Sequence, residues 1–152
     1  MKKLTIKKDV AVNAPKERVW EVLLEPQFTN IWYDSFSPGS HADTDWQLGS
    51  KAIFTDNSGC GIFGTIVERK PYESVSIEYS GFIYNGVEDY ESPQAQQMKG
   101  SRETYRLLEE GGQTRLFIEC DMGEDYFESM GAAWEKALQK LKEMAEQPGQ
   151  NK

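Results

Sequence analysis

The sequence predicts an α+β domain: one antiparallel sheet with its helices gathered on one face. Three observations predict it. Between residues 50 and 122 the apolar residues fall in short alternating runs separated by turn signals. From Glu124 onward the apolar spacing becomes helical. A single strand-like run at the start is divided from the later strands by two short helical segments.

Residues 4–13 put Leu4, Ile6, Val10 and Val12 on one parity, with Lys8 breaking the apolar face of a half-buried strand. Asn13-Ala14-Pro15 then reads as a helix start: Asn13 as capping residue, proline in the first turn and Glu17 near the positive dipole end. Val19, Trp20, Leu23 and Leu24 follow at helical spacing, and Pro26 restarts a second short helix over about 26–33. Residues 34–49 are polar, contain Pro38 and Gly39, and read as a loop. Strands are expected in SKAIFTD, which ends at the turn Asn57-Ser58-Gly59, in GIFGTIVERK, which stops at Pro71, and in ESVSIEYSGFIY, where Val75, Ile77 and Tyr79 share a face.

Residues 85–100 lack apolar rhythm and read as a mobile loop or lid. SRETYRLLEE and TRLFIECDM close the sheet, joined at the hairpin signal Gly111-Gly112. In the last helix Phe127, Met130, Trp134, Leu138, Leu141 and Ala145 form an apolar stripe, with Gly131 and Ala137 as its small members. Glu124, Asp125 and Glu128 lead, and Lys136, Lys140 and Lys142 come late, as the helix dipole prefers. One domain over residues 1–146 is expected, with a frayed tail at 147–152.

Leu, Ile, Val and Phe make up about a fifth of the 152 residues, which is lean for a folded domain. Four Trp, seven Tyr and seven Phe supply the missing burial and point to an aromatic-rich interior. The net charge of −8 and the predominance of acids outside the first eight residues argue against nucleic acid or anionic membrane as partner. MKKLTIKKDV is not followed by the apolar stretch of a signal peptide, and no run approaches a membrane span. Cys60 and Cys120, far apart in sequence, read as reduced thiols, so a cytoplasmic protein is expected.

Gly59-Cys60-Gly61-Ile62-Phe63-Gly64 matches G-x-G-x-x-G, but β-type sequence follows where a dinucleotide fold needs a helix. The motif therefore reads as a turn at Gly59 and close packing at Gly64. His41, the single histidine, stands in a polar segment without ligand spacing, and no metal or cofactor is expected. Glu88, Asp89 and Glu91 do not fit a calcium loop and read as solvated. Among the strand acids Glu68, Glu78 and Glu119, any that faces inward would be an acid/base candidate.

Trp20, Trp32, Phe54, Phe63, Tyr79, Phe82, Tyr105, Phe117, Phe127 and Trp134 can form plain core. Plain core is the default, and the competing reading is a cavity where a bent sheet fails to fill its own concavity, with Gly131-Ala132-Ala133 leaving room on the last helix.

APKERVW, NIW at 30–32, GTIVERKPYESVSIEY and GAAWEKALQKLK together resemble the START-like (SRPBCC) superfamily, in the branch similar to the C-terminal domain of the activator of Hsp90 ATPase. The resemblance spans about residues 4–146. It implies the helix-grip fold, a bent antiparallel sheet wrapped around a long C-terminal helix with a cavity between them. It also implies binding of lipids, hormones or polyketides in many relatives, and cyclase or oxygenase-subunit roles in a few. The activator has a further N-terminal domain, whereas this sequence opens on the first strand, so full co-chaperone activity is not expected.

The leading expectation is a binder of a small apolar or amphipathic molecule, more a receptor than an enzyme. Its wall would comprise Phe127, Met130 and Trp134 on the helix and Phe54, Phe63, Tyr79 and Tyr105 on the sheet, with Trp32 and Phe36 near the mouth. A chaperone-related protein-interaction module is the alternative. A cyclase- or hydrolase-like enzyme with an inward acid ranks third, because no nucleophile–base pair is visible.

Overall fold

The computed structural model of the chain describes residues 3–147. The expected tail at 147–152 lies outside the described residues, Gln147 excepted. The strands are β1 (Lys3–Val12), β2 (His41–Asp43), β3 (Lys51–Thr55), β4 (Gly61–Lys70), β5 (Ser74–Tyr84), β6 (Val87–Asp89), β7 (Arg102–Glu110) and β8 (Gln113–Gly123). The helices are α1 (Lys16–Leu24), α2 (Pro26–Trp32), α3 (Pro93–Met98) and α4 (Phe127–Glu146), with 3₁₀ turns at Tyr33–Ser35 and Glu124–Tyr126.

The strands form one antiparallel sheet in the order β1-β8-β7-β5-β4-β3-β2, and β6 pairs with β5 off that path. The sheet curls around α4, with α1 and α2 beside it, giving the α+β helix-grip architecture. Alternation along the strands sorts the two faces. Ile6, Ala52, Ile66, Val75, Ile77, Tyr105, Leu116 and Ile118 turn inward and pack with Trp134, Ala137, Leu138 and Leu141 of α4. Gly111 and Gly112 both take positive φ (62° and 82°), the conformation a two-residue hairpin of the right twist requires.

The register of β4 on β5 slips at Phe63/Gly64 and again at Ile66/Glu68, and such bulges sharpen the bend of the sheet. At the first, β5 comes so close that a Cβ on Gly64 would stand 2.3 Å from the Glu78 carbonyl oxygen. The G-x-G-x-x-G run thus leads into a strand, with Gly59 in a turn and Gly64 at a close approach.

Several local expectations are corrected. Asn13 does not cap α1. Pro15 occupies the N-cap with no side-chain bond, and the Asn13 amide donates instead to Glu146 Oε2 (2.7 Å). The polar loop after α2 contains the short strand β2, and residues 85–100 fold into β6 and α3, the latter capped by Ser92 Oγ accepting from the Ala95 amide. Lys8 lies on the inner face of β1, opposite Ile118. Its stem passes Gly131, where an added Cβ would meet Lys8 Cε at 3.9 Å, and its ammonium reaches Glu135 at 2.7 Å. Gly131 therefore accommodates a snorkelling lysine rather than opening a cavity, and Ala132 is exposed.

Candidate functional site

A cavity of about 250 Å³ lies between the first half of α4 and the concave face of the sheet. Met130 and Trp134 form its helix wall, and Phe54, Ile62, Tyr79, Tyr105, Cys120 and Met122 its sheet wall. Trp32, Tyr33 and Phe36 come from the end of α2 and the turn after it, and Met98 from α3. Two other depressions flank α4 near Lys8 and near Lys136, but both are open and lined by charged side chains.

The aromatic wall is fixed by ring contacts. Trp134 packs edge-on against Phe36 (centroids 4.9 Å apart) and lies 6.0 Å from Tyr105 and 6.2 Å from Trp32. Phe54 stands edge-on to Tyr79 at 6.2 Å. The Trp32 indole N–H donates to the Val22 carbonyl at 2.9 Å, so that buried polar group is satisfied and its ring is held in place.

The floor is polar, and its centre is Glu103. The Tyr79 hydroxyl donates to Glu103 Oε1 at 2.7 Å, and the Tyr105 hydroxyl donates to Oε2. The Cys120 thiol lies 3.6 Å from Oε1. Three adjoining strands supply these groups: β5 gives Tyr79, β7 gives Glu103 and Tyr105, and β8 gives Cys120. Glu103 is half-buried, its accessible surface being that of a cavity wall. Burial raises its pKa above 4.5, partly offset by the hydrogen bonds from Tyr105, Tyr79 and Cys120. Burial, followed by the nearby Glu103 charge, pushes Tyr33, Tyr79, Tyr105 and Cys120 upward, so all four stay protonated at neutral pH. The floor presents one carboxyl among neutral hydroxyls and a thiol.

Seven of the nine residues expected at the site line the cavity: Trp32, Phe36, Phe54, Tyr79, Tyr105, Met130 and Trp134. Phe63 does not. Phe54 pairs with Ile62 on the inner face, which turns Phe63, opposite Ile53, to the outer face, where it meets Tyr90 and the Lys51 ammonium. Phe127, at the first turn of α4, packs on the core but is not among the cavity residues.

The three strand acids singled out in the sequence face away from it. Glu68 accepts from the Ser74 hydroxyl, Glu78 pairs with Arg102, and Glu119 is exposed. The inward acid is Glu103, which shares its parity with Tyr105 and Leu107, a signal present in the sequence. His41 is exposed at the cavity mouth, its Nδ1 2.9 Å from the Gly39 carbonyl oxygen. Among the described residues no three His, Cys, Asp or Glu side chains are grouped to hold a metal ion, and no helix is long and apolar enough to cross a membrane.

Known structures share this architecture. Protein MLL2253 from Mesorhizobium loti superposes with a TM-score of 0.72 at 16% identity, over 93% of this chain and 96% of that one. The Aha1 dimer from Colwellia psychrerythraea gives 0.67 at 18% identity, over 94% and 96%. DynU16, from the dynemicin biosynthetic locus, gives 0.67 at 14% identity over 91% of this chain, which spans only 46% of its length. At these identities the likeness shows the fold. No curated protein matches the sequence. The family model described as activator of Hsp90 ATPase homolog 1-like protein matches residues 13–146, every strand but β1 and all of α4, and the chain belongs to that family, within the START-like superfamily.

Proposed function

We propose that the protein binds a small amphipathic molecule in the cavity between α4 and the sheet. The observation that carries this reading is the composition of that cavity: an aromatic and aliphatic wall closing on one polar cluster at Glu103. Ligand pockets combine a mainly apolar lining with a few placed polar groups. A volume of about 250 Å³ exceeds the roughly 150 Å³ that suffices for benzene in an engineered apolar cavity, and suits a bicyclic molecule. Two unlinked cysteines suit a reducing, cytoplasmic setting.

Calorimetric titration with 2-naphthylmethanol, a neutral bicyclic alcohol, tests the reading. Saturable binding to the wild type that disappears in the cavity-filling variant Ile62→Trp is expected. Absence of binding to the folded wild type, by this alcohol and by naphthyl compounds of the same size with other head groups, would remove the reading. A protein-interaction module is the second reading, favoured by the exposed Tyr84, Val87 and Tyr90 around the β5–β6 hairpin and by the family's description. It predicts that mutations at those residues, and not at the cavity, remove the biological effect.

A further inference from the structure

The charge and hydrogen-bond inventory of the cavity narrows the ligand. Its lining contains three carboxylates, Asp56, Glu103 and Asp121, and no Lys or Arg. Two of the three take their hydrogen bonds from groups outside the floor cluster. Asp56 accepts from the Ser37 and Ser58 hydroxyls, and Asp121 accepts from the Thr5 hydroxyl and the Arg102 amide. Glu103 differs in that its partners are the two phenols and a weak thiol contact, while an ionised carboxylate offers about four acceptor positions.

Tyr79 and Tyr105 have turned their hydrogens toward Glu103, so each phenol oxygen keeps lone pairs and has no hydrogen left to give. The centre of the floor is thus a convergent set of acceptors carrying one negative charge. Around it stand the rings of Phe36, Phe54 and Trp134, whose faces attract cations. A neutral hydroxyl would match only one of these acceptors and a carboxylate none, and unmatched acceptors are costly in a desolvated site.

We propose that the cavity takes an apolar, bicycle-sized molecule by its protonated amine, with the ammonium seated between the Glu103 carboxylate and the phenol oxygens of Tyr79 and Tyr105. An ammonium brings three donors to three acceptors and supplies the counter-charge the floor lacks. The inference rests on the ligand-binding reading above and specifies its head group.

The test compares three molecules of one shape: 2-naphthylmethylamine, 2-naphthylmethanol and 2-naphthoate, titrated calorimetrically into the full chain. The amine is expected to bind about tenfold or more tightly than the alcohol, and the carboxylate weakest. In Glu103→Gln the amine should lose its advantage over the alcohol.

A pH arm does not depend on that variant folding. The groups that face Glu103 are Tyr33, Tyr79 on β5, Tyr105 on β7 and Cys120 on β8, all neutral in the range used; the cavity's other carboxylates are Asp56, held below the usual carboxylate range by the Ser58 and Ser37 hydroxyls, and Asp121, bonded to Thr5 and the Arg102 amide. α4 presents the uncharged Trp134, and β3 and β4 present Phe54 and Ile62. In His41→Gln, which removes the imidazole at the mouth, amine affinity should fall between about pH 7 and about pH 4 as Glu103 takes up its proton, and alcohol affinity should not.

Equal binding of amine and alcohol, preference for the carboxylate, or an amine preference that survives both Glu103→Gln and acid would each overturn the head-group assignment. The ligand-binding reading would still stand on the alcohol and its loss in Ile62→Trp. Binding of none of the three would end both.

Discussion

The Tyr79 hydroxyl on β5 donates to Glu103 Oε1 on β7 across 2.7 Å, so the one carboxyl at the centre of the cavity floor is held by a residue of a neighbouring strand. That bond and its counterpart from Tyr105 only partly offset the cost of burying the carboxylate, and the pKa of Glu103 stays above 4.5. Because the folded pKa exceeds the unfolded one, the folded state binds this proton more strongly. The resulting stability is fully present below the unfolded pKa and is lost as pH rises through the folded one. Glu103→Gln removes this dependence. The stability of wild type minus that of Glu103→Gln should therefore fall between about pH 4 and about pH 7. Carboxylates with lowered pKa, such as Asp56, Glu135 and Glu146, work in the opposite sense but cancel in the difference. Urea unfolding of both proteins at the two pH values measures it, and a gap that stays constant or widens contradicts the assignment.

Trp134 is 2% exposed, yet part of its ring borders empty space. A fully packed Trp costs about 3–5 kcal/mol on truncation to Ala. Ring atoms facing a void have no partner contacts to lose, so Trp134→Ala should cost about 2 kcal/mol. Denaturant midpoints at equal m-value read this directly, and a loss at the top of the packed range would mean that the cavity is filled by neighbouring side chains in solution.

Gly131 sits inside α4 with helical geometry, and a methyl group there would meet Lys8 Cε at an ordinary contact distance of 3.9 Å. Gly131→Ala should stabilise the protein by about 0.5–1 kcal/mol through helix propensity and a less flexible unfolded chain. A rise in thermal midpoint with the Lys8–Glu135 pair retained is the expected result.

Gly64→Ala should do the reverse. Its Cβ would fall 2.3 Å from the Glu78 carbonyl oxygen and 2.8 Å from Tyr79 Cα, both backbone atoms that can yield only if β5 shifts. A cost of about 1–3 kcal/mol is expected from this overpacking. Since Tyr79 moves with β5, binding of the naphthyl probes should weaken as well, and unfolding curves with parallel titrations would show whether the two losses travel together.

The long strands and α4 were legible because period 2 and period 3.6 persist over nine or more residues in each of them. β2 and β6, three residues each, and α3, six, are too short to carry a period and are held by pairing or packing on β3 and β5. The aromatic wall was readable for residues on the inner parity. Phe63 falls on the outer parity of β4, between Ile62 and Ile66, which mark the inner one. Glu103 is hidden in the sequence because charged residues rarely face inward, even though Tyr105 and Leu107 share its face. Lys8 broke the apolar pattern of β1 for a reason invisible locally: its partners, Gly131 and Glu135, lie on α4.

β1 pairs with β8 along its whole length, from Lys3 opposite Gly123 to Val12 opposite Thr114. On the ribosome the first strand therefore waits for one of the last segments made, about 5–20 s at ordinary synthesis rates. During that interval its backbone edges are open to any extended neighbour. Lys3, Lys7, Lys8 and Asp9 then act as a guard, since a charged strand pairs poorly with strangers. Lys8 passes into its ion pair with Glu135 when α4, made later still, closes over the sheet.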